Sequence, residues 1–167
     1  MKTYILTIIV LLSLFSCNNR ETTKVERKGQ PTIYRVTDDD VEMNQAIEKA
    51  NQTLGNFKAA LLSHNRDCMN FAIKMRFDTP KGGEHIWIDE VTFIENNYFG
   101  VVDNLPESTT EVHLGDTIQI DKSRISDWMY LEKGKLYGGY TVRVLRKRMT
   151  PAEQKQFDKE NNIIFAD

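Results

Sequence analysis

Phe71-Ala72-Ile73-Lys74-Met75-Arg76-Phe77, Thr79-Pro80-Lys81-Gly82-Gly83 and Glu84-His85-Ile86-Trp87-Ile88 follow one another near the middle of the chain. In the first stretch Phe71, Ile73, Met75 and Phe77 alternate with Ala72, Lys74 and Arg76, the period of a half-buried strand. The second is a turn by composition. The third alternates again, with Ile86 and Ile88 on one face and His85 and Trp87 on the other. This reads as a β-hairpin, and its two-residue period fixes what must lie on either side.

Upstream, the period is that of a helix. Met43, Ile47, Ala50, Leu54, Phe57 and Leu61 form an apolar stripe suited to covering one face of a sheet. Asp39 with Glu42 reads as its capping pair, and Asn65-Arg66-Asp67 ends it. Gly55 within the stripe predicts a close approach to a neighbouring strand. Before the helix, Thr32–Val36 alternates weakly and predicts an edge strand.

Downstream, Val91–Ile94 and Tyr98–Val102 flank Asn96-Asn97, a pair that tolerates positive φ and suits a hairpin. Thr117–Ile120 and residues 126–131 are strand-like, and Glu132-Lys133-Gly134-Lys135 is a turn. Tyr140–Leu145 fits either a strand or a helix. Thr150-Pro151-Ala152-Glu153 opens a last helix, with a capping box and Pro at the first helical position. The expected class is α+β: a small antiparallel sheet, open or partly closed into a barrel, with an N-terminal amphipathic helix and a short C-terminal one.

The N-terminus reads differently. Lys2 precedes an almost wholly apolar run from Tyr4 to Phe15, followed by Ser16, Cys17 and abruptly polar residues. That is the pattern of an export signal over residues 1–16, and its core is too short to span a bilayer. Ending on Leu14-Phe15-Ser16-Cys17, it resembles a bacterial lipoprotein signal, which implies lipidation of Cys17. Multiple acyl chains anchor a protein stably, so the expected location is the bacterial cell envelope, on a membrane facing the periplasm or the exterior. Residues 17–31 hold one aliphatic residue after the cysteine, Val25, and read as a flexible tether. Residues 32–167 are then a single domain.

The whole chain carries 22 basic and 24 acidic groups, and residues 1–16 contribute Lys2 alone. The remainder is therefore slightly acidic, which excludes a global pull toward nucleic acid.

Met43-Asn44-Gln45-Ala46-Ile47 with Phe57, Phe71–Lys74, Glu84–Trp87, Ser126-Asp127-Trp128-Met129-Tyr130 and Gly138-Gly139-Tyr140-Thr141 carry a family resemblance. Over about residues 38–157 the chain resembles the YegJ-like family, domain of unknown function 2314. The resemblance implies a compact bacterial domain and nominates no substrate or mechanism.

Candidate chemistry is sparse. With Cys17 lipidated, Cys68 is the remaining thiol, and His64, His85 and His113 show no metal-ligand spacing. A Cys68–His85–Asp127 nucleophile arrangement in a small envelope hydrolase, or a metal held by Glu84, His85 and Asp127, would need convergence that no local pattern predicts. Glu84, Asp89, Glu90 and Asp127 could supply a general acid and base, but the sequence gives no separation between them, and a turn-fixing hydrogen bond is the simpler role for Asp127 and Asp116. No motif calls for a cofactor.

Trp87, Trp128, Tyr130, Tyr137 and Tyr140 are residue types that binding surfaces favour, and they serve equally as core. Gly138 and Gly139 could admit a ligand backbone or make a bulge. Arg143, Arg146, Lys147 and Arg148 form either a phosphate-contacting cluster or a solvated helix face. The expected function is non-catalytic binding of an envelope protein or peptide through Trp87, Asp127, Trp128, Tyr130, Gly138, Gly139 and Tyr140. An immunity-type protein that neutralises a toxin would differ only in its partner.

Overall fold

The computed structural model describes residues 23–27, 30–35, 37–80 and 82–165. The expected signal at 1–16 and the lipidation site Cys17 lie outside the described residues. Strands β1 (Thr23–Arg27) and β2 (Gln30–Arg35) form an antiparallel sheet of their own. Part of the expected tether is therefore a strand. Thr23, Val25, Thr32, Ile33 and Tyr34 are β-prone types, and pairing satisfies the backbone without requiring a core.

Helix α1 (Val41–Leu62) starts one residue later than the capping pair predicts: Asp40 is the N-cap, and its side chain accepts from Met43 N at 3.0 Å. Ala46, Ala50 and Phe57 are its buried residues. Met43, Ile47, Leu54 and Leu61 flank them, half-buried. The contact line thus follows the expected stripe, with Ala50 and Phe57 at its centre and Ala46 added to it. Gly55 faces open space, with nothing within 4 Å of a Cβ built there, so close packing is not its reason.

The predicted hairpin is present as β3 (Cys68–Thr79) and β4 (Gly82–Ile94), with Ile73 opposite Ile88 and Met75 opposite Ile86. β5 (Asn97–Val102) and β6 (Thr117–Ile120) extend the sheet on one side. β7 (Ile125–Glu132) and β8 (Lys135–Gly138) extend it on the other. The order is β6-β5-β4-β3-β7-β8, antiparallel throughout, and the sheet stays open rather than closing into a barrel.

Its centre is a row of side chains that crosses four strands: Trp128, Ile73, Ile88 and Val102, each 2% exposed or less. α1 lays Phe57 on this row, with ring centroids 5.7 Å from Trp128, 5.6 Å from Phe71 and 6.1 Å from Tyr98. The indole nitrogen of Trp128 donates to Ala50 O at 2.9 Å, which fastens the helix to β7.

Residues 140–145, which fit either element, are helical within α2 (Tyr140–Lys147). α3 (Pro151–Asn161) begins with the predicted capping box. Beyond it, Ile164 lies against the outer edge of β8: Leu136 N donates to Ile164 O and Ile164 N to Gly134 O, both at 2.9 Å. Among the described residues no helix is long and apolar enough to cross a membrane.

Candidate functional site

The stretch from Ser126 to Thr141 does structural work through nearly every residue expected to bind. Gly139 occupies the N-cap of α2 at φ 61°, and glycine has no side chain with which to cap. Asp127 supplies the missing group from β7. Its carboxylate accepts from Tyr140 N at 3.1 Å, Thr141 N at 2.8 Å, Thr141 Oγ1 at 2.6 Å and Trp128 N at 2.8 Å. It is fully buried. Burial pushes its pKa up, against the opposing pull of Lys74 and these donors.

Gly138 lies at φ 70° against Trp128: a Cβ there would overlap the Trp128 carbonyl oxygen and sit 2.6 Å from ring carbon Cζ3. Gly139 N donates to that same carbonyl oxygen at 2.8 Å. The glycine pair therefore lets the chain fold back onto β7, and no ligand need approach to account for it.

Trp128 is core. So is Tyr130, 8% exposed and stacked on Phe71 at 5.1 Å and Tyr137 at 5.0 Å. Tyr140 packs edge-on to Trp128, and its hydroxyl accepts from Thr53 Oγ1 at 3.0 Å. Of the aromatic residues expected to bind, Trp87 stands apart from this cluster.

Trp87 is half-buried on the face opposite α1, because Ile86 and Ile88 point into the core. Lys74 alternates likewise with Ile73 and Met75, and its ammonium lies 4.6 Å from the Trp87 ring centroid. Lys74 Nζ donates to Thr141 Oγ1 at 2.9 Å, and the Thr141 hydroxyl in turn donates to Asp127. Burial lowers the Lys74 pKa, while the Asp127 charge works to raise it.

The register of β3 against β7 slips between Lys74 and Met75, which leaves Ser126 as an extra residue. Ser126 Oγ lies 2.8 Å from His85 Nδ1 and donates to Lys74 O at 3.3 Å. A hydroxyl that donates to a carbonyl accepts from the ring, so Nδ1 carries the proton and Nε2 is the acceptor left over. Desolvation, followed by the charges of Lys74 and Arg76, lowers the His85 pKa, although one edge of the residue is open to solvent. His85 is thus a neutral, positioned imidazole rather than a base activating Ser126.

The hydrolase and metal arrangements are not assembled. Cys68 lies opposite Glu132 while His85 lies opposite Arg76, eight positions further along β3. At about 3.3 Å per residue that is roughly 25 Å. Burial raises the Cys68 pKa, the reverse of nucleophile activation. Glu84 is occupied by the backbone N–H groups of Glu107, Ser108 and Thr109, at 2.6, 3.0 and 2.8 Å. Among the described residues no three His, Cys, Asp or Glu groups converge to hold a metal.

The basic cluster consists of internal struts. Arg143 donates to Gly138 O and Leu136 O, and Arg146 pairs with Asp158 through two 2.7 Å bonds. Arg148 grips Asp40 at 2.7 and 2.8 Å and also reaches Glu42. Lys147 lies 3.4 Å from Glu42. Sequence reasoning missed Lys74, Ser126 and Thr141 as neighbours of Trp87 and His85. Strand alternation carried the signal for Lys74 facing away from the core. The partnership with Thr141 depends on the α2 fold-back, which no local pattern announces.

An open antiparallel sheet with one helix-covered face and one polar, aromatic-bearing face defines a small α+β domain. The chain matches, over residues 40–165, the family described as an uncharacterized protein conserved in bacteria (DUF2314), and it belongs to that family. It is 34% identical over 147 residues to a putative ankyrin repeat protein of Neisseria meningitidis serogroup B, covering 83% of this chain and 58% of that protein. It is 35% identical over 100 residues to the uncharacterized protein YegJ of Escherichia coli K12, covering 60% of this chain and 64% of YegJ. The chain thus spans less than two thirds of each curated relative. No solved structure matches.

Proposed function

We propose that this chain is a non-catalytic binding module for a protein or peptide, held at a bacterial envelope membrane by lipid on Cys17. Its contact surface is the sheet face bearing Lys74, His85 and Trp87. The observation that carries the reading is the division of labour among the aromatics: Trp128, Tyr130 and Tyr140 pack against α1 and the sheet, whereas Trp87 lies half-open beside a cation and an exposed imidazole. Indole, ammonium and imidazole on one rigid sheet are groups that interfaces use as anchors.

The test is crosslinking and capture with the full-length chain in its native membrane, wild type beside a Trp87→Ala, His85→Ala double variant. Circular dichroism of both checks folding. A partner held by wild type and lost by the folded variant supports the reading. Capture of the same partners by both overturns it. Cys17→Ser should move the protein out of the membrane fraction; retention there would overturn the lipid anchor.

A further inference from the structure

The two central strands of the sheet diverge at one end. β3 and β4 pair from Thr79 with Gly82 to Ile73 with Ile88. Beyond that point β3 follows β7, with Ala72 opposite Met129, and β4 follows β5, with Thr92 opposite Phe99. Each outer ladder slips beside the divergence, between Met69 and Ala72 and between Asp89 and Thr92, and Asn70 and Glu90 take left-handed backbone at φ 54° and 51°. Bulges bend a strand and re-aim its side chains. Here two of them leave a cleft of about 430 Å³ lined by Asn70, Phe71, Asp89, Glu90 and Val91.

The walls of the cleft differ. Phe71 is held by Phe57 and Tyr130, with ring centroids at 5.6 and 5.1 Å, and with Val91 it makes a fixed apolar side. Asp89 lies two residues beyond Trp87 on the same strand face. Among the described residues its half-buried carboxylate has no hydrogen-bond donor and no cation against it. The charges that reach it, from Asp103 and Glu90, are of its own sign, and desolvation together with them pushes its pKa up to about 6.

We infer that this cleft receives one basic side chain of the bound polypeptide, its cation on Asp89 and its methylene stem along Phe71 and Val91. The inference rests on the binding role proposed for this sheet face and names the residue type that the face selects. A cation there supplies the counter-charge that the fold withholds from Asp89, and an aliphatic stem on Phe71 keeps water off the pair. A bare divalent ion is a poorer occupant, because among the described residues no three His, Cys, Asp or Glu groups converge to hold one. An anion is repelled by all three carboxylates.

The test titrates the full ¹⁵N-labelled chain in detergent with Nα-acetyl-lysine methylamide, its arginine counterpart, the neutral Nε-acetylated lysine compound and Mg²⁺, at matched ionic strength. The lysine or the arginine compound should shift the Asn70 and Glu90 amide resonances saturably, with a Kd on the order of 10 mM, and the neutral compound should not. Because the ionised carboxylate is the binding form, affinity should fall about tenfold between about pH 7.5 and pH 5. Asp89→Asn keeps the shape and removes an unpaired charge, so it should fold and lose saturable binding. Asp78→Asn, at an exposed carboxylate near the other end of β3, should leave binding unchanged. Equal shifts from charged and neutral compounds, saturation by Mg²⁺ alone, or an Asp89→Asn protein that binds undiminished would each overturn the cleft assignment. Any of these alongside Trp87-dependent capture of a partner would leave the binding role standing, whereas loss of that dependence would remove both.

Discussion

Asp127 performs at a distance the task that a neighbouring Ser or Asp usually performs. Four donors converge on a carboxylate with no exposure, so its removal orphans the first turn of α2. Asp127→Ala is expected to cost about 3–5 kcal/mol in urea unfolding, and Asp127→Asn less, since the amide oxygen still accepts. Asp89 offers a different handle. Burial, then the nearby charges of Asp103 and Glu90, push its pKa up to about 6. The folded state therefore keeps a proton that the unfolded chain releases near pH 4, and the contribution to stability, complete below that pH, is lost as pH rises through 6. Asp89→Asn should consequently be more stable than wild type at pH 7, with the difference shrinking between pH 6 and 4. A constant difference across that range, followed by thermal unfolding, would contradict the assignment. The turn-fixing role expected of Asp116 is visible in its bond from His113 N at 2.7 Å. The helix-capping role of Asp127 was not legible, because its partners lie 13 and 14 residues away.

Elements formed by local periodicity were readable, and those made by tertiary constraint were not. The β3–β4 hairpin and the α3 capping box follow from neighbouring residues and stand where expected. The start of α1 was misplaced by one residue because Asp38, Asp39 and Asp40 are equivalent by type. What distinguishes Asp40 is Arg148, which lies across the fold and outside any sequence window. Gly55 teaches the reverse. Its place in the helix predicts a packing reason, yet it lies on the open side of α1 with space around it. Gly55→Ala should stabilise the protein by about 0.5–1 kcal/mol, seen as a higher urea midpoint at unchanged slope. Gly138→Ala should do the opposite, because its Cβ must displace Trp128 and the φ of 70° disfavours alanine. Failure of that protein to unfold cooperatively at a lower temperature than wild type would show that β8 relaxes around the methyl group.

At the scale of the molecule, among the described residues, the two sheets are separate, with β1 and β2 paired to each other. The main sheet has two ends of unlike character. At one, β8 is met by Ile164, and Phe165 lies over Arg146 with the guanidinium 4.5 Å from the ring centroid. At the other, β6 is a four-residue strand with no further neighbour in the sheet among the described residues. Shortness is one way in which natural sheets discourage unwanted pairing. Truncation after Asn162 should bare the β8 edge, so that sedimentation velocity at rising concentration shows species larger than those of the full chain. An unchanged distribution would mean that the tail does not guard this edge. The covered edge also has a bearing on symmetry. A sheet able to accept a strand on one side only can join a copy of itself through a two-fold axis, and there growth stops. With both edges bare, the same surface could propagate head to tail into an open filament. The last few residues of the described chain thus separate self-association that closes from self-association that does not.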